Sequence, residues 1–330
     1  MLQQEFINRI VSIALSKTVI QADFQMEQLH GGTLGDVRLV YGTARMIDGE
    51  EQAYRLVWKR QKKWDRPGDP ESWRREYDFY NMGLEAFQAK QFRWPICYHS
   101  TISNDETQLW LEYIEGVSGF QLTIEMLEQS AENLGSFQGM LYAQQNSLKE
   151  LSFLSKSDTM LKEYQQWKPD TVEFQYLRSD DCSIPDHLRK MLIDTQEHSE
   201  QLFQHMENLP IVLCHKDFWH ENLFLANGEI VLIDWDCVGW GYLGEDIASL
   251  IADDTETDHL IIFYQRLIPA YLRGIRSHMG ISWIENHFFW EMMVVKYGYR
   301  ILQAHQFARS TEGKAEQVKR LQTLYEMQNM

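Results

Sequence analysis

The chain changes its hydrophobic period once. Phe6, Ile7, Ile10 and Ala14 fall at helical spacing and predict a short amphipathic helix at the N-terminus. From Phe24 to Arg60 the sequence reads as three strands: Phe24 to Leu29, Val37 to Ile47 and Ala53 to Arg60, with a turn at Asp48-Gly49 joining the last two. The loop Asp65-Arg-Pro-Gly-Asp-Pro70 offers Asp69 as an N-cap and Pro70 for the first turn of a helix from Glu71 to about Met82, stopped by Gly83. Pro95 to Ile102 and Thr107 to Ile114 read as two more strands around a polar turn at Ser103-Asn-Asp-Glu106.

After Gly116 the period switches to that of helices. Leu122 to Leu127 and Leu134 to Tyr142 are predicted helices, with Ser130 as a candidate N-cap between them. Residues 148 to 210 are polar and mostly helical, broken at Pro169 and Pro185, and nothing in them declares a site. Further helices are predicted over 257–279, 282–309 and 312–329. Their aromatics, among them Phe263, Tyr264, Tyr271, Trp283, Phe288, Phe289, Trp290, Tyr297 and Tyr299, are placed for a core rather than a ligand cage.

Composition narrows the function. A chain of 330 residues with 44% hydrophobic and 24% charged residues is ordinary globular material, long enough for two domains. Its 31 basic against 48 acidic side chains, net −17, argue against a nucleic-acid partner and suit a cationic one. Cys97, Cys182, Cys214 and Cys237 are widely spaced with no Cys-x-x-Cys, as expected of a reduced, cytoplasmic protein. Glu5 and Arg9 interrupt the first 17 residues, which lack a small-residue cleavage site, so no signal peptide is expected. No apolar run approaches the ~20 residues that cross a bilayer, and no membrane association is expected.

The chemistry gathers between Leu213 and Asp236. Ile211, Val212 and Leu213 run into His215-Lys-Asp217, and Asn222 follows five positions after that aspartate. A second apolar strand, Ile230 to Ile233, delivers Asp234 and Asp236, and Asn227-Gly228 between the apolar runs predicts that it folds back on the first. Phosphoryl transfer from a nucleotide needs hard oxygen ligands for Mg²⁺ and a carboxylate to orient the accepting hydroxyl, and this stretch supplies both. His215-x-Asp217-x-x-His220 also reads as a metal-hydrolase cluster of imidazole and carboxylate, although a hydrolase has no need of the spaced Asn222 or of a hairpin ending in Asp234.

His-x-Asp-x-x-x-x-Asn followed twelve residues later by an aspartate at a strand end resembles the catalytic and metal-binding loops of the protein-kinase-like fold, and within it the aminoglycoside phosphotransferase and choline kinase family. That resemblance implies an α+β, two-lobe fold: residues 1–115 as a nucleotide-binding lobe with a small antiparallel sheet, ending in a hinge, and 116–330 as a larger helical lobe with the catalytic loop, metal-binding loop and acceptor site. It implies ATP and Mg²⁺, with Asp217 as catalytic aspartate and Asn222 and Asp234 as Mg²⁺ ligands. His215, Asp236 and Asp246 take supporting roles, Asp246 as the family's structural aspartate that hydrogen-bonds back to the catalytic loop.

In the first lobe the same resemblance places Leu29-His-Gly-Gly32 where the family often has Leu-x-Gly-Gly, so that Gly31, Gly32, Thr33 and Gly35 cover phosphates with backbone N–H groups. Leu56-Val-Trp-Lys59 stands where protein kinases carry the phosphate-binding lysine, with Arg60 the alternative, and Glu76 resembles the glutamate that holds it. Glu112-Tyr-Ile-Glu-Gly116 resembles the hinge, so adenine is expected against the backbone of Glu112 to Ile114 with Val37 and Ile233 as apolar walls.

Two departures from protein kinases point to a small-molecule acceptor. Asp234-Trp-Asp236 replaces Asp-Phe-Gly, and eleven residues between Asp234 and Asp246 leave no room for a peptide-docking activation segment. No P-loop signature occurs. The acceptor is expected to be small and hydroxylated, aminoglycoside-, choline- or sugar-like, with a cationic one favoured; Asp253-Asp254-Thr-Glu256-Thr-Asp258 could attract an amine, and Trp219, Trp235 and Trp240 could stack on it or pack in the core. A pseudokinase would keep the fold without turnover, but Asp217, Asn222 and Asp234 are all present.

Overall fold

A computed structural model describes residues 4–29, 35–64, 69–84, 92–148, 151–166, 171–253 and 255–330. Helix α1 (Gln4–Leu15) leads into strands β1 (Val19–Ala22), β2 (Gln25–Gln28), β3 (Gly35–Met46) and β4 (Glu51–Lys62), helix α2 (Ser72–Asn81), and strands β5 (Phe92–Arg93), β6 (Cys97–Ile102), β7 (Glu106–Glu112) and β8 (Val117–Ser118). There follow helices α3 (Ile124–Ala143), α4 (Gln145–Leu148), α5 (Thr159–Gln166), α6 (Val172–Arg178), α7 (Asp186–Glu197) and α8 (Ser199–Met206). Strands β9 (Ile211–Cys214), β10 (Leu223–Ala226), β11 (Glu229–Leu232) and β12 (Gly239–Tyr242) precede helices α9 (Glu245–Ala252), α10 (Thr257–Arg276), α11 (Asn286–Phe307) and α12 (Thr311–Met327). The contacts divide the chain into two units, 1–117 with 224–237, and 118–223 with 238–330.

The first unit is built on an antiparallel sheet in the order β1-β3-β4-β7-β6, with β2 also paired to β3. Ile7, Ile10 and Val11 of α1 are fully buried with Val40, Ala44, Leu56 and Trp110 of the sheet. Burying each such side chain is worth about 1.5–3 kcal/mol, which is why a helix of twelve residues stays in place. The strand β1 is absent from the sequence reading because four residues are too few to show an alternation. Helix α2 begins at Ser72 with Glu71 at the N-cap and no side-chain cap, a correction to the expected cap at Asp69. Asp69 instead grips the buried Arg75 through two hydrogen bonds, at 2.5 and 2.6 Å.

The Asn227-Gly228 turn joins β10 to β11, with φ of +53° and +80° at its two central residues. This corrects the expected pairing: β11 folds back on Leu223–Ala226, and β5 lies parallel on its other edge. The strand Ile211–Cys214 pairs in the second unit with β12 instead, Leu213 opposite Trp240.

In the second unit α3 is one continuous helix capped by Thr123, which accepts from Met126 N–H. Ser130 is no cap: its hydroxyl donates back to the carbonyl of Met126 at 2.8 Å, the other habit of serine in helices. Two glycines let α3 and α10 touch backbone to backbone. A Cβ on Gly135 would lie 2.2 Å from the carbonyl oxygen of Tyr271, and one on Gly274 would lie 2.0 Å from that of Glu132. That close crossing brings Gln138 against Tyr271.

Phe288, Phe289, Trp290, Tyr264, Tyr271 and Tyr297 are buried as expected, whereas Trp283 is exposed. All four cysteines are free. Among the described residues no helix is long and apolar enough to cross a membrane.

Candidate active site

Lys59 sits on β4 between Val37 of β3 and Leu109 of β7. Successive strand residues face opposite ways, so Lys59 and Arg60 part company. The Arg60 guanidinium turns to Glu106 at 2.6 Å, while the Lys59 ammonium lies 2.6 Å from Glu76 and 2.5 Å from Asp234. Burial works against the ammonium, but Asp234, Glu76 and Asp236 outweigh it and hold the lysine protonated, its pKa raised. Glu76, on α2, is buried; burial raises its pKa, the Lys59 ammonium pulls it down and Asp234 pushes it up again. Its second contact is the backbone N–H of Trp235 at 3.4 Å.

Asp234 stands at φ +65°, a left-handed conformation that aspartate tolerates better than most residues and that recurs where the backbone is bent to present a side chain. The residue after it anchors the bend. Trp235 is 1% exposed, stacks flat on Phe79 with ring centroids 4.4 Å apart, meets Trp94 edge-on and donates its indole N–H to Leu232 O. Trp235 is therefore core. Asp236 closes the turn: burial, then the nearby Asp234, push its carboxyl up to about 7, with Lys59 opposing. The Arg75 guanidinium meets its backbone carbonyl at 3.1 Å.

In the second unit the residues that lead into Asp217 are held from below. His215 and Lys216 both donate their backbone N–H groups to the carboxylate of Asp246, each at 2.8 Å. Asp246 is 1% exposed, and burial raises its pKa to about 7 against those two donors. Gln138 donates to it at 2.9 Å and to Leu213 O at 3.1 Å, and accepts from the Tyr271 hydroxyl at 2.6 Å. Gln138 escaped the sequence reading altogether, and Tyr271 was read there as plain core. The signal was a glutamine on the apolar face of a predicted helix, which says only that some buried partner exists.

Next along the chain Asn222 closes a 3₁₀ turn, His220–Asn222, and its amide nitrogen donates to both the carbonyl and Oδ2 of Asp217, at 2.9 Å each. With its donors so used, the Asn222 side chain has a carbonyl oxygen to offer a cation. Beside this turn His220 packs between Phe120, 4.3 Å away and itself 72% exposed, and Trp219. Trp240 lines a cavity of about 670 Å³ with Tyr142, Leu209, Ile211 and Trp283.

The remaining expected residues are placed as follows. Gly35 opens β3 opposite Gln61, whereas Gly31, Gly32 and Thr33 lie outside the described residues, as do Pro169 and Asp254. Glu112 donates its backbone N–H to Ile96 O at 2.8 Å, and its carboxylate binds Arg93. Ile114 is buried with Ala226 and Val231, and Ile233 is half-buried ahead of Asp234. Lys59, Glu76, Asp234 and Asp236 thus share one cluster in the first unit, and Asp217 and Asn222 share a turn in the second, its chain tied through His215 and Lys216 to Asp246.

Residues 65–281 match the profile of the phosphotransferase enzyme family. None of the curated proteins matches the sequence. Among solved structures the chain is similar to a choline kinase from Cryptosporidium parvum, at 14% identity with 93% of this chain and 89% of that one covered and a TM-score of 0.57. A microcompartment-associated aminopropanol kinase gives 15% identity, coverage of 96% and 94% and a TM-score of 0.57. A thermostable mutant of an aminoglycoside phosphotransferase gives 14%, 97% and 98%, with a TM-score of 0.51. At such identities the likeness is one of fold. The fold is α+β and protein-kinase-like, with a small antiparallel sheet toward the N-terminus and a larger helical part after it.

Proposed function

The chain belongs to the phosphotransferase enzyme family, and on that premise we propose that it transfers the γ-phosphoryl group of ATP to a hydroxyl of a small acceptor molecule. The observation that carries the reading is the Lys59 ammonium held between Glu76 and Asp234 at 2.6 and 2.5 Å, because a lysine so fixed is a point charge with a set position.

In this reading residues 1–115 form the nucleotide-binding lobe that ends in the hinge, and 116–330 carry the catalytic loop, the metal-binding loop and the acceptor site. Lys59 meets phosphate oxygens, and backbone N–H groups around Gly31 to Gly35 cover them. Glu112 and Ile114 hold the adenine through their backbone, with Ile233 an apolar wall. Asp217, steadied by Asn222, orients the acceptor hydroxyl and takes its proton as the oxygen attacks the γ-phosphorus. The bond from that phosphorus to the β–γ bridging oxygen breaks, and ADP leaves with the electron pair.

In the first unit the carboxylates of Glu76, Asp234 and Asp236 outnumber the Lys59 ammonium among them, an oxygen set that suits Mg²⁺, and in the second Asn222 has a carbonyl oxygen to give. Asp234 and Asn222 are the residues that would hold it. Bound there, Mg²⁺ supplies neutralisation of phosphate charge.

For the acceptor we favour a hydroxylated cation. Net −17 raises the local concentration of amines, and the chain has the fold of kinases named for choline and for aminopropanol. ADP release from Mg-ATP with choline, ethanolamine, aminopropanol, aminoglycosides, homoserine and neutral sugars tests it. Release driven by amino alcohols or aminoglycosides supports the reading; release driven equally by neutral sugars removes the cationic acceptor, and Mg-ATP binding without release under any acceptor removes the kinase.

A further inference from the structure

Residues 148 to 210 declare no site by themselves, yet one of their side chains meets two from a helix far along the chain. His205 on α8 and His287 and Glu291 on α11 each offer a ligand atom, and the three atoms lie within 4.8 Å of one another. His287 and Glu291 are four residues apart on one helix, which stacks them on the same face a turn apart. His205 closes the group from the second helix: its Nδ1 lies 3.0 Å from both oxygens of Glu291. The two imidazole rings are stacked at 4.9 Å with 12° between their planes, and the buried Phe288 packs at 4.5 Å from each.

Glu291 is 8% exposed, and a carboxylate withdrawn from water needs a strong positive partner. Among the described residues, what faces it is the His205 imidazole, one nitrogen spread over both oxygens. The histidines keep side-chain exposures of 40% and 36%, so the group is open to solvent on the imidazole side and closed on the carboxylate side. An acceptor-only oxygen pair at the bottom and two imidazoles at the rim make a socket for a dication.

We propose that His205, His287 and Glu291 form a binding site for a divalent transition metal, Zn²⁺ in particular, that ties α8 to α11. Two imidazoles and one carboxylate are a ligand set zinc takes with water in the fourth position. Imidazole ligands also set the site apart from one for Mg²⁺ or Ca²⁺, which prefer all-oxygen shells. A tetrahedral zinc places its ligand atoms roughly 3.3 Å apart, given bonds of about 2.0–2.1 Å. His205 and Glu291 already meet that spacing at 3.0 Å. His287, now 3.2 Å from the exposed Glu285, has its ligand atom within 4.8 Å of the other two, and closing to the zinc spacing requires its half-exposed side chain to turn. Coordination consumes the His205–Glu291 hydrogen bond and requires both imidazoles neutral.

The test uses the full chain without a polyhistidine tag, stripped with chelator and held in excess Mg²⁺ so that the phosphotransfer carboxylates are occupied. Zn²⁺ is added in competition with a chromophoric chelator, and native mass spectrometry counts the bound metal. One zinc per chain is expected, with affinity at least roughly tenfold weaker in His205→Ala and in His287→Ala, and unchanged in His187→Ala, whose imidazole bonds Gln322 on α12. Both histidines are half-exposed, and thermal melting of the apo forms checks that each variant is folded. No zinc at micromolar concentration, or zinc held as tightly after both substitutions, overturns the site. The readout is independent of turnover, so its outcome does not bear on the phosphotransfer reading.

Discussion

The carboxylate of Asp246 accepts the backbone N–H of Lys216 at 2.8 Å, and Lys216 stands at φ +68°. A lysine in the left-handed region costs about 1–2 kcal/mol, and it persists because the same carboxylate also holds the N–H of His215. The two donors define the turn from which Asp217 projects. Asp246→Ala removes both acceptors at once, taking the carboxylate partner from one buried and one part-buried N–H group. A loss of about 2–4 kcal/mol is expected in denaturant melts. Turnover is expected to fall with kcat rather than with KM for ATP, because the change misplaces Asp217 while leaving Lys59, Glu76 and Asp234 alone.

The same residue sets a pH dependence. In the folded chain burial keeps Asp246 protonated up to about 7, whereas the unfolded carboxyl ionises near 3.8. Between those values the folded state binds more protons, so stability falls as pH rises across that window and levels off above it. Asp246→Asn removes the titrating proton. The difference in melting temperature between wild type and Asp246→Asn should therefore shift against the wild type as pH rises from 4 to 7. A difference flat with pH would show that the carboxyl titrates alike in both states.

Glu76 fixes the Lys59 ammonium from one side and Asp234 from the other. Glu76→Gln keeps the shape and halves the restraint. A KM for ATP raised roughly tenfold is expected, corresponding to about 1.4 kcal/mol of lost nucleotide interaction. Lys59→Ala should cost more in KM and also lower the melting temperature, because it leaves Glu76 and Asp234 facing each other. Steady-state kinetics at varied Mg-ATP checks both.

Trp235 separates packing from chemistry beside Asp234. Flat on Phe79 and edge-on to Trp94, it fills the core under the turn. Trp235→Ala is expected to cost about 3–5 kcal/mol, and Trp235→Phe much less with activity near normal. An acceptor-stacking role would reverse the pattern, with Trp235→Phe intact in stability and altered in acceptor KM.

Much of this was readable from the chain because it is local. Asp217 and Asn222 are five residues apart and share a turn, and Asn227-Gly228 marks a hairpin by backbone chemistry alone. What escaped is long-range. Lys59 and Arg60 are neighbours on a strand with opposite faces, and which face meets Glu76 depends on the register of β4 against β3 and β7. Ile211–Leu213 was assigned to the Asn-Gly hairpin because apolar strands look alike; its partner is β12, which as Gly-Trp-Gly-Tyr reads as a loop. Ser130 looked like a cap because serine caps helices and also bonds back within them, and sequence does not distinguish the two. Gln138 meets Asp246 of α9 and, through the approach of α3 and α10 at Gly135 and Gly274, Tyr271 of α10, tertiary facts with no local trace.

The central claim is that Asp217 orients and deprotonates an acceptor hydroxyl. The most direct measurement is acceptor-dependent ADP release by Asp217→Asn beside the wild type, with Mg-ATP affinity measured on both. Turnover lower by a factor of roughly a thousand or more is expected, with Mg-ATP bound as before and the fold intact. Turnover within tenfold of the wild type would contradict it, and would move the acceptor chemistry to another residue.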